Sequence, residues 1–288
     1  MKLSSKMVGT RIRPFHYSVS FRDVSNFAAS IGDDNDGYFD TEKTPAAHPL
    51  FPVRISWQII QNLVQLWDAD INEDLLAGMV HHSEHIQIHR DFHPGDDLTV
   101  KGECVALLPH HLGAKIVLRF DYTDVEYRLV VTEYTGAIVF GVNCSDEGKI
   151  LPGIPEIQRV GECAPIWKEE IEISRLAPYI YDGCNDIVYP IHTDRRFARS
   201  IGLPDIVLQG TATLAMGVSA LLRKEGCNLP KNVKMVAARF TDIVVPPNKL
   251  VVRLLKKRGA DFYFDVMEQS GKTVIKGGYM NIVNKVSE

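Results

Sequence analysis

The chain has 288 residues, which is long for one compact domain and suggests about two. Its apolar content of 45% and charged content of 24% are ordinary for a soluble globular protein. A net charge of −4 without a basic run argues against binding to nucleic acid or an anionic membrane surface, and no apolar run is long enough to span a membrane.

The cysteines and the chain ends bear on the compartment. The five cysteines are odd in number and widely spaced, and no CxxC pair occurs. The N-terminal residues lack the continuous apolar core of a signal peptide, and Lys285 to Glu288 do not form a peroxisomal tripeptide. We therefore expect reduced thiols and a cytoplasmic protein.

The first half of the chain predicts two helices followed by four strands. Residues 17–31 carry apolar side chains at nearly helical spacing, and a turn cluster rich in Gly, Asp and Asn follows at 32–40. Residues 53–69 predict a helix that is apolar over most of its circumference, so other structure should wrap it. The period then changes to two, which predicts strands at 82–92, 97–107, 114–123 and 128–140.

The second half repeats this order. A stretch rich in Gly and Pro at 144–165 marks the predicted boundary between domains 1–150 and 151–288. A short helix within 171–183 and a long helix from Gly210 to a stop at Gly226 are then followed by predicted strands at 234–245, 249–257, 260–269 and 272–284.

The two halves align at a nearly constant offset, with Tyr38 opposite His192 and Pro94 opposite Pro246. This indicates an internal duplication. A buried helix followed by an antiparallel sheet is best enclosed if the sheet curls around the helix, which is an α+β arrangement. We expect the two units to pair about a pseudo-twofold axis.

Residues 181–216 combine an acid, an imidazole and a helix start. The intervening Pro190 favours a bend, so Asp186 and His192 could face one cavity and move protons through a shared water near neutral pH. Backbone N–H groups at Gly210 could donate to a carbonyl oxygen. On these residues alone, an equally good interpretation is that Asp186 caps a helix and His192 is a buried, hydrogen-bonded histidine.

This segment and the duplicated strands together resemble the MaoC-like dehydratases, a hot-dog family that includes the (R)-specific enoyl-CoA hydratases. The family signature is roughly Gly-Asp-x-Asn-Pro-(Ile/Leu)-His-x-Asp, with a glycine before the central helix about twenty residues later. The Pro-Ile-His at 190–192, Asp194 and Gly210 match in place. The resemblance covers nearly the whole chain and implies a double hot-dog fold, with two curved antiparallel sheets each wrapped around a long central helix.

The sequence departs from that signature at three points. One extra residue separates Asp186 from His192, Tyr189 stands where the family has Asn, and Gln209 replaces the usual His before the glycine. The N-terminal copy keeps an acid and an amide at 33–35 but has Tyr38 at the histidine position. A phenol with a pKa near 10 is a poor base at neutral pH, so we expect a degenerate copy that accommodates the acyl chain.

The resemblance implies a hydro-lyase that reversibly adds water to a trans-2-enoyl thioester, giving the (R)-3-hydroxyacyl thioester. Asp186 and His192 would activate the water, with Asp182 as a reserve acid, and the Gly210 N–H would stabilise the enolate-like oxygen. The residues expected to contact substrate are Tyr189, Gln209, Thr211 and Asp194. No metal or redox cofactor is required, because CoA is part of the substrate.

The implied partner is an acyl-CoA or acyl-carrier thioester, and a homodimer is possible. Phosphates of CoA are expected near exposed cations, of which the candidates by position are Arg195, Arg196 and Arg199.

Other constellations point less clearly to a function. Four histidines recur every four residues, at His81, His85, His89 and His93. They fall on or beside a predicted strand without nearby cysteine pairs, so we expect surface histidines and no metal site. Ser219 and Cys184 lack an elbow motif or an adjacent base, which disfavours a serine or cysteine nucleophile.

Two alternative functions remain open. A hot-dog thioesterase would place its carboxylate on the central helix, and neither predicted long helix carries one on its opening turns. A non-catalytic acyl-thioester-binding protein is the other alternative, and Tyr189 and the altered spacing before His192 favour it.

Overall fold

The computed structural model describes residues 2–69, 71–73, 78–156, 160–161, 163–225 and 230–283. The predicted helix stop at Gly226 and the end of the last predicted strand at Asn284 lie outside these residues. Within the described ranges, no helix combines the length and apolar character needed to cross a membrane.

Among its described residues, the first half contains two principal helices and five principal strands. Its elements are β1 (Lys2–Leu3), β2 (Arg11–Ser18), α1 (Phe21–Ser30), α2 (Pro52–Ile60), α3 (Leu63–Leu66), β3 (Met79–Ile88), β4 (Asp97–His110), β5 (Gly113–Thr123) and β6 (Leu129–Phe140). Two short strands, β7 (Asn143–Cys144) and β8 (Lys149–Ile150), follow in the predicted boundary region. The boundary itself stays a prediction.

The second half repeats the pattern with a longer central helix. Its elements are β9 (Trp167–Ile173), α4 (Ala177–Asn185), α5 (Arg195–Ser200), α6 (Gly210–Lys224), β10 (Val233–Phe240), β11 (Asn248–Arg258), β12 (Asp261–Glu268) and β13 (Thr273–Ile282). Short 3-10 turns occur at 5–7, 36–38, 190–192 and 230–232.

The two halves share one antiparallel sheet with mirrored strand order. The order is β2-β4-β5-β6-β3 in the first half and β10-β13-β12-β11-β9 in the second, so both halves use the same connectivity. β3 and β10 join the halves, with Gln87 opposite Met235 and His85 opposite Ala237. The predicted α+β duplication with paired sheets is therefore confirmed.

Helix α6 is the centre of the second half. Every residue from Thr211 to Leu222 is buried, and only Gly210 at the start and two cations at the end reach solvent. A helix that is apolar on all sides must be enclosed by other structure. The sheet provides this enclosure, as the sequence predicted.

The structure corrects the starts of the first helix in each half. Residues 17–18 and 171–173, predicted as helical, belong to the edge strands β2 and β9. Helix α1 instead begins after Ser20, whose hydroxyl accepts from the Asp23 N–H while the Asp23 carboxylate accepts from the Ser20 N–H. This capping box fixes the helix start.

The helix predicted at 53–69 is broken. It ends at Ile60 and resumes only for Leu63–Leu66. The Asn62 side chain donates to the Gln58 carbonyl (2.8 Å), which is the carbonyl that residue 62 would bond in a continuous helix. The central helix of the first half is therefore shorter than α6.

A pair of carboxyl groups is buried between the antiparallel sheet and α2. Glu84 on β3 and Glu133 on β6 are 2% and 0% exposed. Glu133 accepts hydrogen bonds from the Ser56 hydroxyl (2.7 Å) and from the Tyr122 hydroxyl. Burial raises the pKa of both carboxyls to about 8, so both are protonated at neutral pH.

The start of α6 packs tightly against β10. A Cβ built on Gly210 would lie 2.8 Å from Cδ1 of Phe240, which is closer than side chains approach one another. Glycine at this position is therefore required by packing against the Phe240 ring.

Replacing this glycine should destabilise the protein. Gly210→Ala is expected to lower the free energy of unfolding by about 1 to 3 kcal/mol through overpacking. The additional change Phe240→Leu should recover part of the loss, because the two sites are in contact. Denaturant unfolding measures both effects.

Gly183→Ala is the matched control, since Gly183 also lies in a helix but nothing is within 4 Å of its added Cβ. It should be neutral or stabilising by up to about 1 kcal/mol. Equal losses at the two glycines would show that the Phe240 contact is not the cause.

The buried carboxyls should make stability depend on pH. A raised pKa means that the folded state holds protons that the unfolded state releases, so the contribution of these two carboxyls to stability falls as pH rises from about 4.5 through 8. The five histidines whose pKa burial lowers to about 4 are neutral in the folded state and about a quarter protonated in the unfolded state at pH 7, so they oppose part of this fall by the same amount in the wild type and in a Glu84 variant.

Glu84→Gln should remove roughly half of the carboxyl contribution to the fall in unfolding free energy between pH 7 and 8, on the order of 1 kcal/mol. Urea unfolding at fixed pH values measures the difference. An unchanged pH dependence in the variant would mean that Glu84 is ionised in the folded protein.

Candidate active site

The predicted catalytic segment connects α4 to α5. Helix α4 ends at Asp186, which adopts a left-handed conformation with φ 52° and ψ 30°. A 3-10 turn at 190–192 follows, and the Asp194 carboxylate then accepts from the backbone N–H groups of Arg196 (2.8 Å) and Phe197 (3.0 Å). Asp194, predicted to contact substrate, therefore caps α5.

His192 is held in one tautomer by a single strong contact. Its Nδ1 lies 2.7 Å from the Val207 carbonyl oxygen, so Nδ1 carries the proton and donates it. Burial lowers the His192 pKa to about 4, against a smaller opposing effect of this hydrogen bond. The ring is therefore neutral at pH 7, with Nε2 able to accept a proton.

Asp186 is fixed by a residue from the other half. Its Oδ2 accepts from Nη2 of Arg54 on α2 at 2.8 Å, while 60% of the Asp186 side chain stays exposed. In the described part of the chain, Asp186 and His192 make no direct hydrogen bond to each other. A proton can therefore pass between them only through water or substrate.

The structure also contains the local contacts of the alternative interpretation, in which Asp186 caps a helix and His192 is a hydrogen-bonded histidine. Asp186 is the C-terminal cap of α4, and His192 is hydrogen-bonded to backbone. Neither contact prevents acid–base chemistry, because one oxygen of Asp186 and Nε2 of His192 take no part in these hydrogen bonds among the described residues.

At the start of α6, the residues on both sides of Gly210 form hydrogen bonds within the protein. The Gln209 side chain donates to the Pro178 carbonyl (3.1 Å), and its Oε1 has no hydrogen-bond partner among the described residues. The Thr211 hydroxyl accepts from the Tyr181 hydroxyl (3.1 Å). Both residues were predicted to contact substrate, and both are buried.

Tyr189 forms an aromatic wall beside His192. Its ring lies 6.3 Å from the His192 ring, 6.4 Å from Phe197 and 6.1 Å from Trp57 on α2. Burial raises the Tyr189 pKa, so the phenol is neutral. The family's asparagine position is therefore filled here by a ring that packs against the imidazole.

The secondary candidates have partners of their own. Burial and the neighbouring Asp186 raise the pKa of Asp182. Two of the proposed phosphate-binding cations, Arg195 and Arg199, pair with Asp205 at 2.8 Å and 3.5 Å. These arginines are about 60% exposed, so the pairs are weak and open to exchange.

The corresponding region of the first half contains a buried hydrogen-bond chain. The Leu50 N–H donates to Nδ1 of His48 (3.0 Å), so the His48 proton is on Nε2, which lies 3.2 Å from the Ser219 hydroxyl. Ser219 donates to Asp33 at 2.5 Å. Burial and Asp33 raise the pKa of the neighbouring Tyr38 well above 10.

This chain directs the Ser219 proton to Asp33 and leaves the imidazole as a donor. His48 therefore does not accept the Ser219 proton in this arrangement, and the absence of a serine nucleophile stays a prediction. A cavity of about 210 Å3 opens beside it, and its lining residues are Asp33, Asp34, Asn35, Asp36, Ser219, Leu222 and Arg223. Sequence reasoning missed His48, because nothing local marks it as a partner of a serine 171 positions away.

The four periodic histidines do not form a metal site in the described residues, where no cluster of three or more His, Cys, Asp or Glu side chains is arranged to bind a metal. His85 is 7% exposed, so the expected surface position is wrong for that residue. Nε2 of His81 lies 3.0 Å from Oε2 of Glu84. With pKa values of about 4 and about 8, both groups are uncharged at neutral pH.

Two protein-family models match the chain. Residues 185–277 match the MaoC like domain, and residues 6–119 match the FAS1-like dehydratase domain region. The first match includes Asp186, His192 and Gly210, and the second includes most of the N-terminal half.

Two curated relatives share part of the sequence. A peroxisomal multifunctional enzyme type 2 from Drosophila melanogaster is 26% identical over 208 residues, which are 72% of this chain and 34% of the relative. Enoyl-CoA hydratase 2, peroxisomal, from Arabidopsis thaliana is 29% identical over 93 residues, which are 32% of this chain and 30% of the relative. The chain thus spans about a third of the length of these relatives.

Solved structures share the fold along nearly the whole chain. A MaoC-like dehydratase from Phytophthora capsici superposes with a TM-score of 0.85 at 18% identity, covering 98% of this chain and 99% of the other. A Mycobacterium tuberculosis protein with a double hotdog fold gives a TM-score of 0.57 at 15% identity, covering 97% of each chain. The chain therefore has the double hot-dog fold, and its residues 185–277 match a MaoC like domain.

Proposed function

We propose that this protein is a hydro-lyase that reversibly adds water to a trans-2-enoyl-CoA or a related acyl thioester, giving the (R)-3-hydroxyacyl thioester. The observation that carries the proposal is the state of His192. Its Nδ1 proton is fixed on the Val207 carbonyl and its pKa is lowered to about 4, so Nε2 is a neutral base within a segment that also holds Asp186. The enoyl-CoA hydratase 2 relative supports the same reaction.

Each group has a defined part in this reaction. The water oxygen bonds to Cβ, Nε2 of His192 accepts a proton from that water, and Asp186 orients it. The backbone N–H groups at the start of α6 donate to the thioester oxygen as negative charge develops there. A proton then returns to Cα. The 3-hydroxyacyl thioester therefore contains all the atoms of one enoyl thioester and one water.

The proposal invokes no metal, and it needs no redox group because addition of water to an enoyl thioester changes no net oxidation state. CoA enters as part of the substrate. We also propose a reducing compartment such as the cytoplasm, a setting with which four free cysteines among the described residues are consistent. The peroxisomal location in the relatives' names is a property of those proteins. The predicted homodimer stays a prediction that light scattering would test.

One specific observation favours a binding function over catalysis. Asp186 is bound to Arg54 and shares no hydrogen bond with His192, so a non-catalytic acyl-thioester-binding protein is the second candidate. A thioesterase is less well supported, since the first turn of α6 carries no acidic residue.

Changing either proposed acid–base group should abolish most of the activity. Asp186→Asn and His192→Gln should each slow hydration of crotonyl-CoA by roughly a hundredfold or more, because each removes a proton-transfer group. Loss of enoyl absorbance measures hydration, and a thiol reagent measures thioester cleavage in the same sample.

His89→Gln is the control, since His89 is exposed and lies just after β3. It should keep wild-type activity. Wild-type rates in either motif variant would refute the assignment, thiol release would indicate a thioesterase, and binding without turnover would indicate a carrier.

The pH dependence of the rate should reflect the low pKa of His192. A base with a pKa of about 4 remains neutral down to mildly acidic pH, so kcat/KM should be nearly constant from pH 7 to about 5 and fall below that. Initial rates in overlapping buffers, with folding checked by circular dichroism, measure this. A fall centred near pH 6.5 would show that the essential base is not the buried His192.

A further inference from the structure

Arg54 is a buried cation in the half that lacks the histidine motif. It lies on α2, and only 6% of the residue is exposed. A charged group removed from water is costly unless other groups compensate for the lost hydration. Something in its surroundings must therefore retain it.

Two carboxylates provide this compensation through a single nitrogen. Nη2 of Arg54 donates to Oδ1 of Asp23 and to Oδ2 of Asp186, both at 2.8 Å. Nε and Nη1 are buried and have no hydrogen-bond partner among the residues that the structure describes. The guanidinium is thus held by its carboxylate contacts alone, with Tyr17 as an aromatic neighbour at 6.0 Å.

The two carboxylates differ in what they need from Arg54. Asp23 is 15% exposed at its side chain and also caps α1 through the Ser20 N–H. Asp186 is 60% exposed, and its contact with Arg54 is the sole side-chain hydrogen bond that we find for it in the described residues. Without Arg54, the Asp186 carboxylate would be free to rotate into solvent.

The same face of α2 also contacts the other end of the motif. Trp57 lies three residues after Arg54, which places the two side chains on one helix face. The Trp57 ring packs 6.1 Å from Tyr189, and Tyr189 packs 6.3 Å from His192. One face of α2 therefore contacts Asp186 through the Arg54 ion pair. The same face is connected to His192 through the packed rings of Trp57 and Tyr189.

We propose that Arg54 is a positioning residue for the hydratase reaction: it fixes the Asp186 carboxylate relative to His192 from the opposite repeat. This inference rests on the proposed function. It assigns the first repeat a direct part in organising the acid–base pair, beyond making room for the acyl chain.

Kinetics of Arg54→Met and Arg54→Ala test the proposal. Methionine fills most of the volume and leaves no charge, so kcat for crotonyl-CoA should fall roughly tenfold to a hundredfold while KM changes by less than about threefold. Arg54→Lys should retain more activity than Arg54→Met. Guanidinium ion at tens of millimolar should restore part of the kcat of Arg54→Ala, which a purely structural defect would not allow.

Arg253 provides a matched control in the second half. It forms an ion pair with Asp265 through Nε at 2.7 Å and Nη2 at 2.6 Å, away from the motif. Arg253→Ala should lose comparable stability but keep wild-type kcat and show no response to guanidinium.

A double-mutant comparison completes the test. Adding Arg54→Met to Asp186→Asn should slow the reaction no further than Asp186→Asn alone, because the two changes remove one function. Wild-type kcat in Arg54→Met, or a loss in Arg54→Ala that guanidinium leaves unchanged, would overturn the role of Arg54 while the hydratase proposal stands. An inactive wild-type protein would overturn both.

Discussion

The structure depends on the enclosure of α6, a helix with no polar face. Twelve consecutive residues from Thr211 to Leu222 are buried, so every side of the helix requires a partner. Enclosure leaves the two helix ends as the places where backbone polar groups can meet other molecules. At the N-terminal end, the Phe240 ring excludes any residue larger than glycine at position 210. The packing of α6 thus limits the approach of a thioester oxygen to the ends of the helix.

Duplication gives each half a part in the other half's site. The loop after α4 contacts α2 through Arg54 and Asp186, and the loop after α1 contacts α6 through Asp33 and Ser219. Each contact joins the loop after the first helix of one half to the central helix of the other half. The halves have diverged in what the contact does. In one contact, the Arg54 cation pairs with the exposed Asp186 carboxylate. In the other, the Ser219 hydroxyl donates to the buried Asp33 carboxylate.

The sequence predicted those features whose cause is local. Strands with strong alternation, the all-round apolar α6 and the Pro-Ile-His turn follow from neighbouring residues. The edge strands β2 and β9 were missed because they carry many charged residues, and β2 also contains a proline, which suits an edge strand but weakens the pattern. The break before Leu63 arises from one side-chain hydrogen bond. Long-range pairs leave no local pattern, since Arg54 lies 132 positions before Asp186.

Several of the titratable groups buried in this fold are uncharged near pH 7. Burial keeps Glu84 and Glu133 protonated and His81 and His192 unprotonated near pH 7, because desolvation penalises the charged form of either type. Arg54 differs from these four groups, since a guanidinium cannot lose its proton under these conditions. Its charge must instead be balanced by carboxylates, and one of these is Asp186. A cation that cannot be neutralised therefore holds the Asp186 side chain at a fixed place in the segment that also contains the neutral His192 imidazole.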